Sequence, residues 1–176
     1  MGVSYQLDSL SEILPGAEVT GVIDSAWYPS ELTDLDEEPA FDYPAMHTFW
    51  NSQVDATCGI DNPDEPWLCL PLPDSSEYLD TPVFISVDQS DEYLLDQLGL
   101  GQNPQTPEEI LFVDTIRNSL QDSLAGLDGV FSPNQNLHTL LASEKFTSIT
   151  ILDQNYAQTL GNWYFSRPGN TKVIEE

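Results

Sequence analysis

Apolar positions along this chain come in short runs separated by acidic and proline-rich stretches, and the runs switch between helical and strand spacing. From Tyr5 to Leu14, residues Leu7, Leu10, Ile13 and Leu14 fall at helical spacing, and Pro15-Gly16 stops the helix. Val19 to Ala26 predicts a buried strand, and Thr81 to Val87 is a second apolar, β-branched run of strand type. A helix follows over Glu92 to Leu98, bounded by Gly99 and Gly101. Thr106-Pro107-Glu108-Glu109 combines a capping box with proline at the first helical position, which predicts a helix from Pro107 to about Leu124. Its apolar face is Ile110, Val113, Ile116, Leu120 and Leu124, and Gly126 ends it. Gly129 to Phe131 reads as a short strand, Thr147 to Leu152 as another, and Ala157 to Trp163 as a short helix before a polar tail.

Between Asp42 and Asp80 prolines and acids alternate with aromatics, so repeated turns with little regular structure are expected, pinned to the body by Trp50 and Trp67. His47 lies there on an apolar stretch and reads as a half-buried packing residue. The preceding loop carries Asp34, Asp36, Glu37 and Glu38, a set of oxygen ligands that suits a hard cation. Its spacing does not: Pro39 stands sixth from Asp34, where an EF-hand loop takes glycine, and Ala45 twelfth, where it takes glutamate. A solvated acidic loop is expected, with no metal and no organic cofactor.

The 176 residues, 40% of them hydrophobic, suffice for one domain with a real core. Four Lys and Arg against 30 Asp and Glu give a formal charge of -26, which repels nucleic-acid phosphates and anionic membranes over the whole surface. Neither is expected as a partner. Such acidity suits either adaptation to salt or a soluble extracellular protein. No apolar run approaches membrane-spanning length. Cys58 and Cys69 flank a loop rich in Asp, Asn and Pro; two cysteines supply only half the ligands of a zinc site, and a small disulfide loop is the other reading.

The chemistry-bearing residues are Asp91, just past the Thr81–Val87 run, and His138, which follows Val130-Phe131 through Ser132-Pro133-Asn134. A serine hydroxyl needs an imidazole to take its proton and a carboxylate to hold that imidazole in the right tautomer. In α/β-hydrolases the order is serine, acid, histidine, each on a loop after a strand. Asp91 and His138 fit the last two places, although Asp88 or Glu92 would meet the rule for the acid equally well. His47 precedes the acid and does not fit. Ser4, in Gly2-Val3-Ser4, lacks both the preceding strand and the following glycine of a nucleophile turn, and is expected as a solvated residue at the start of a helix.

The fragments Asp8-Ser9-Leu10-Ser11-Glu12-Ile13-Leu14-Pro15, Val22-Ile23-Asp24-Ser25-Ala26-Trp27-Tyr28, Phe49-Trp50-Asn51-Ser52 and Pro66-Trp67-Leu68-Cys69 carry a resemblance. With Thr81 to Ile85, Phe131-Ser132-Pro133 and Leu160-Gly161-Asn162-Trp163-Tyr164-Phe165-Ser166-Arg167, they resemble, in order and spacing, the carboxyl-terminal half of the pectin acetylesterase and Notum carboxylesterase family.

The resemblance implies an α/β fold, the carboxyl-terminal part of an α/β-hydrolase-like sheet with flanking helices, spanning residues 1–176 as part of one serine-hydrolase domain. It implies a carboxylic ester hydrolase, with an acetylated polysaccharide or similar ester as substrate, and an extracellular or periplasmic location. The acid is then Asp91 and the base His138, while the family's nucleophile turn, Gly-x-Ser-Ala-Gly-Gly, falls in an amino-terminal part outside this chain. It also favours a Cys58–Cys69 disulfide. Gln135 replaces a cysteine usual in the family, so the His138 loop is expected to be held by packing. Tyr93, two residues after the acid, should shorten an acyl pocket. Trp27 and Tyr28 are candidates for lining the same pocket, or else plain core. The rival readings are an inactive half that needs a separate partner chain, and a non-catalytic acidic binding domain.

Overall fold

The computed structural model describes residues 3–101 and 104–176. The chain runs through α1 (Ser4–Ile13), β1 (Gly21–Asp24), α2 (Tyr43–Trp50), α3 (Ala56–Asp61), α4 (Leu72–Ser75), β2 (Val83–Ser86), α5 (Glu92–Gln97) and α6 (Pro107–Leu124). It continues with β3 (Val130–Ser132), α7 (Lys145–Ser148), the hairpin β4 (Thr150–Ile151) and β5 (Gln154–Asn155), α8 (Tyr156–Tyr164) and β6 (Lys172–Ile174). The main sheet has the order β1-β2-β3-β6, and every pair in it is parallel.

Side-chain alternation along the strands divides the core in two. Ile85 and Val130 face a cluster with Ile23, Trp27, Leu94, Leu95, Ile116, Leu120 and Leu124, so α5 and α6 cover that face. Phe84 and Phe131 face the other way, onto Leu140, Ile151, Tyr156 and Val173 beside α8. Phe84 and Phe131 both stack on Tyr156. Both faces are therefore buried, which is why the strand sequences read as apolar runs and not as alternating ones.

The capping box at Thr106 forms as expected: Glu109 N–H donates to the Thr106 hydroxyl, and Thr106 N–H donates to Glu109. Other expectations need correction. The stretch 42–80 is not mostly irregular but holds three short α-helices and two 3-10 turns. Its acids and prolines start helices instead of only breaking them: Asp42 accepts from Ala45 N–H, Asp55 accepts from Thr57 and Cys58 N–H, and proline follows early in α2 and α4. Trp50 does not pin this stretch, since it is 69% exposed, in a T-shaped contact with its neighbour Phe49. Trp67 is half-buried. Cys58 and Cys69 are joined by a disulfide that ties α3 to the 3-10 turn Pro66–Cys69.

The expected strand over Thr147–Leu152 is instead the end of α7 and a two-residue strand, because Leu152 and Asp153 turn the chain through positive φ into β5. The polar tail contributes β6, whose Val173 is buried against the sheet.

Candidate active site

The site sits at the carboxyl ends of β1, β2 and β3, where loops leave a parallel sheet. Beyond β2, Asp91 is the N-cap of α5, and its Oδ1 accepts from the backbone N–H of Tyr93 at 2.8 Å and Leu94 at 3.2 Å. Helix start and carboxylate thus orient one another. The hydroxyl of Tyr28 lies 2.9 Å from Oδ2. His138 brings Nδ1 to 3.1 Å from both carboxylate oxygens. Asp91 is fully buried, and this desolvation pushes its carboxyl above the ordinary range, against the pull of His138 and Tyr28 toward the ionised form. With Asp91 on Nδ1, the imidazole carries its proton there and leaves Nε2 as the basic nitrogen.

The His138 loop is held by carboxylates, which corrects the expectation that packing alone positions it. Upstream of the histidine, buried Asp88 accepts from Gln135 N–H at 2.9 Å and Asn136 N–H at 3.2 Å. Glu175, from the segment beyond β6, accepts from Asn134 N–H at 2.8 Å. Downstream, Asp24 at the end of β1 accepts from Leu140 and Leu141 N–H at 3.0 and 2.8 Å. Gln89 ties the same layers: its amide donates to the carbonyls of Ser132 and Glu175, and it accepts from Gln121 of α6.

His138 opens on a cleft of about 300 Å³ whose walls are Ser25, Ala26, Tyr28, Phe41, Tyr43, Met46, Leu70, Pro71, Leu72 and Tyr93. Tyr93 is 44% exposed and lies against the histidine ring, centroids 5.0 Å apart. Tyr28 stacks on Phe41. Trp27 does not reach the cleft: it is core, and its indole N–H donates to Ser123 of α6 at 3.0 Å. Ser4 is not solvated either but 3% exposed, at the start of α1 and away from the cleft.

Ser25 was not singled out by the sequence. It follows β1 directly at φ 59°, lines the cleft, and has a buried Oγ with no hydrogen-bond partner. Its backbone conformation depends on three-dimensional context, and in the sequence it fell inside the expected strand Val19 to Ala26. Among the described residues, no group of three or more His, Cys, Asp or Glu is placed to hold a metal ion.

This is the architecture of an α/β-hydrolase, represented by part of its sheet. No family model matches the chain. A palmitoleoyl-protein carboxylesterase of the Notum type from Xenopus laevis is 24% identical over 92% of this chain. The crystal structure of the Wnt deacylase Notum from Drosophila superposes with a TM-score of 0.85, at 23% identity over 99% of the chain. The chain spans 36% of the Xenopus protein's length and 52% of the Drosophila chain. The resemblance to the Notum carboxylesterase family is therefore found again in both sequence and fold.

Proposed function

We propose that this chain is the acid-and-histidine part of a serine carboxylesterase, with Asp91 and His138 completing a triad whose serine lies in an amino-terminal segment outside these 176 residues. The observation that carries this reading is the 3.1 Å approach of His138 Nδ1 to a buried carboxylate, on two loops that leave adjacent parallel strands. In the reaction His138 Nε2 takes the serine proton as Oγ attacks the ester carbonyl, and then passes it to the leaving alcohol. Water hydrolyses the acyl-serine by the reverse use of the same base. Asp91 holds the imidazole tautomer and stabilises its cation throughout.

The Notum relatives and the fold support an ester as substrate. Tyr93 beside His138, with Tyr28 behind it, supports a short acyl group such as the acetyl of a polysaccharide ester. An extracellular or periplasmic location goes with that substrate. The test joins this chain, fused or in trans, to the segment encoded immediately upstream and measures turnover of aryl acetate and of a long-chain aryl ester. Acetate should be preferred, and Asp91→Asn or His138→Ala should lower turnover about 10³- to 10⁴-fold. Turnover that survives both substitutions would overturn the reading.

A second reading rests on Ser25. Serine, acid and histidine then occur in hydrolase order within this chain, each after a parallel strand, and Ser25 has an unpartnered hydroxyl at positive φ in the His138 cleft. Against it, no hydrogen bond joins Ser25 to His138, and Ala26-Trp27 supplies no glycine to relax the turn.

A further inference from the structure

Asp88 is fully buried, is no part of the Asp91–His138 pair, and carries neither of the roles assigned above. Its carboxylate accepts three backbone N–H groups from two different loops. One is Ser90 N–H at 2.9 Å, on the loop that delivers Asp91; the others are Gln135 and Asn136 N–H, on the loop that delivers His138. Among the described residues neither oxygen is in an ion pair, and three oriented amides face the charge.

We propose that Asp88 is a positioning residue, a non-covalent cross-link that holds the acid-bearing and histidine-bearing loops in register. The cross-link stands next to Gln135, where the resembling family usually has a cysteine, so a buried anion takes up the restraint that a disulfide would otherwise supply. Its meaning for catalysis rests on the esterase reading; its mechanical role does not.

Titration of Asp88 falls in an accessible range. Burial foremost pushes the Asp88 carboxyl up to about 6, against the three amides, and the charge of Asp91 adds to the rise. The other titratable groups around it are Glu175, which shares the 134–136 backbone, and His138 at the end of the same loop. Since burial outweighs the amides, protonation favours the closed loops over an opening that exposes the carboxyl.

The test is amide hydrogen exchange on the 176-residue chain, read as protection relative to the free-peptide rate at each pH. At pH 7.5 the amides of Gln135 and Asn136 should be protected. Their protection should rise about tenfold by pH 5, because the carboxyl holds its proton at about 6 when buried against 3.8 when free. The onset should lie near 6. The amide of Ile85, bonded to Gly129 inside the sheet, is the reference for opening of the whole sheet. Asp88→Asn should leave positions 135 and 136 weakly protected at every pH and broaden the His138 Nδ1–H resonance. Glu175→Gln should loosen Asn134 and leave the pH response at 135 and 136 in place. Wild-type protection that falls toward pH 5, or wild-type protection in Asp88→Asn, overturns the proposal. If Asp88→Asn does not fold, the wild-type pH series decides alone. Ester turnover enters neither arm, so failure of the esterase reading is a separate result.

Discussion

The hydroxyl of Tyr28 and Oδ2 of Asp91 stand 2.9 Å apart across 63 residues of sequence, in a fully buried pocket of the core. The same hydroxyl is 2.9 Å from the Ser25 carbonyl, but it has one proton, and the carboxylate is the stronger acceptor. Burial, and next the charge of Asp91, push the phenol far above its ordinary range, so it stays a donor at any working pH. Tyr28 is thereby a support for the acid as well as a wall of the cleft.

Tyr28→Phe keeps the ring stacked on Phe41 and removes only the donor. The Asp91 carboxyl, already raised by desolvation, should rise further. In NMR titrations the His138 ring signals report the protonation of Asp91, and their acidic inflection should move to higher pH. Stability should drop by about 1–2 kcal/mol. An unmoved inflection would reduce Tyr28 to a packing residue.

On its own, the 176-residue chain should hydrolyse aryl acetate no faster than background, because among the described residues no hydroxyl is hydrogen-bonded to His138 for it to activate. Turnover that Ser25→Ala abolishes would instead make Ser25 the nucleophile. Turnover that only Ser4→Ala abolishes would contradict both placements, since Ser4 is buried on α1.

Global stability should rise as pH falls from 7 toward 5. Asp88 has its folded carboxyl at about 6 against 3.8 when free, and Asp91 is shifted in the same direction. Between those limits the folded chain holds more protons than the unfolded one, so stability is gained on acidification and lost as pH rises through about 6. Falling self-repulsion in a chain of formal charge -26 acts in the same sense, and added salt at pH 7 should raise Tm for that reason. A Tm that declines steadily from pH 7 to 5 would refute the assignment.

Gly129, at the entry to β3, should tolerate no side chain. A Cβ there would lie 2.7 Å from the indole of Trp163 and 2.9 Å from the ring of Phe84, both packed in the core beneath the sheet. Gly129→Ala should cost about 1–3 kcal/mol in chemical denaturation. A loss below about 0.5 kcal/mol would mean that α8 yields to it.

Sequence pattern reached the parts of the fold that depend on local signals. The Thr106 box, the apolar stripe of α6 and the runs of β1 and β2 are local, and the structure keeps them close to the expected bounds, except that Ile110 of the expected stripe is exposed. His138 could be named because it follows a strand in a known order, and Asp91 because the family resemblance favoured it over Asp88 and Glu92; the two do meet. What escaped was set by distant partners. Nothing near Lys172 signals a strand until β3 supplies its ladder, and nothing in the sequence near Asp88 reveals that amides 47 and 48 residues later converge on it. Trp27 and Tyr28 looked alike on paper, yet opposite sides of the chain send one to Ser123 and the other to Asp91. The short helices of 42–80 were obscured because Asp and Pro mark helix starts as readily as turns.

The segment from β6 to Glu175 has a consequence for the time course of synthesis. The acid-bearing loop after β2 can form once β1 and β2 have emerged from the ribosome, but the sheet beside β3 and the carboxylate that holds Asn134 come from residues 172–175. Folding that proceeds from the amino terminus therefore reaches the histidine late. The nascent chain carries Asp91 on a finished loop while His138 still lacks its outer support, so the pair is set only when nearly all of these residues have been translated.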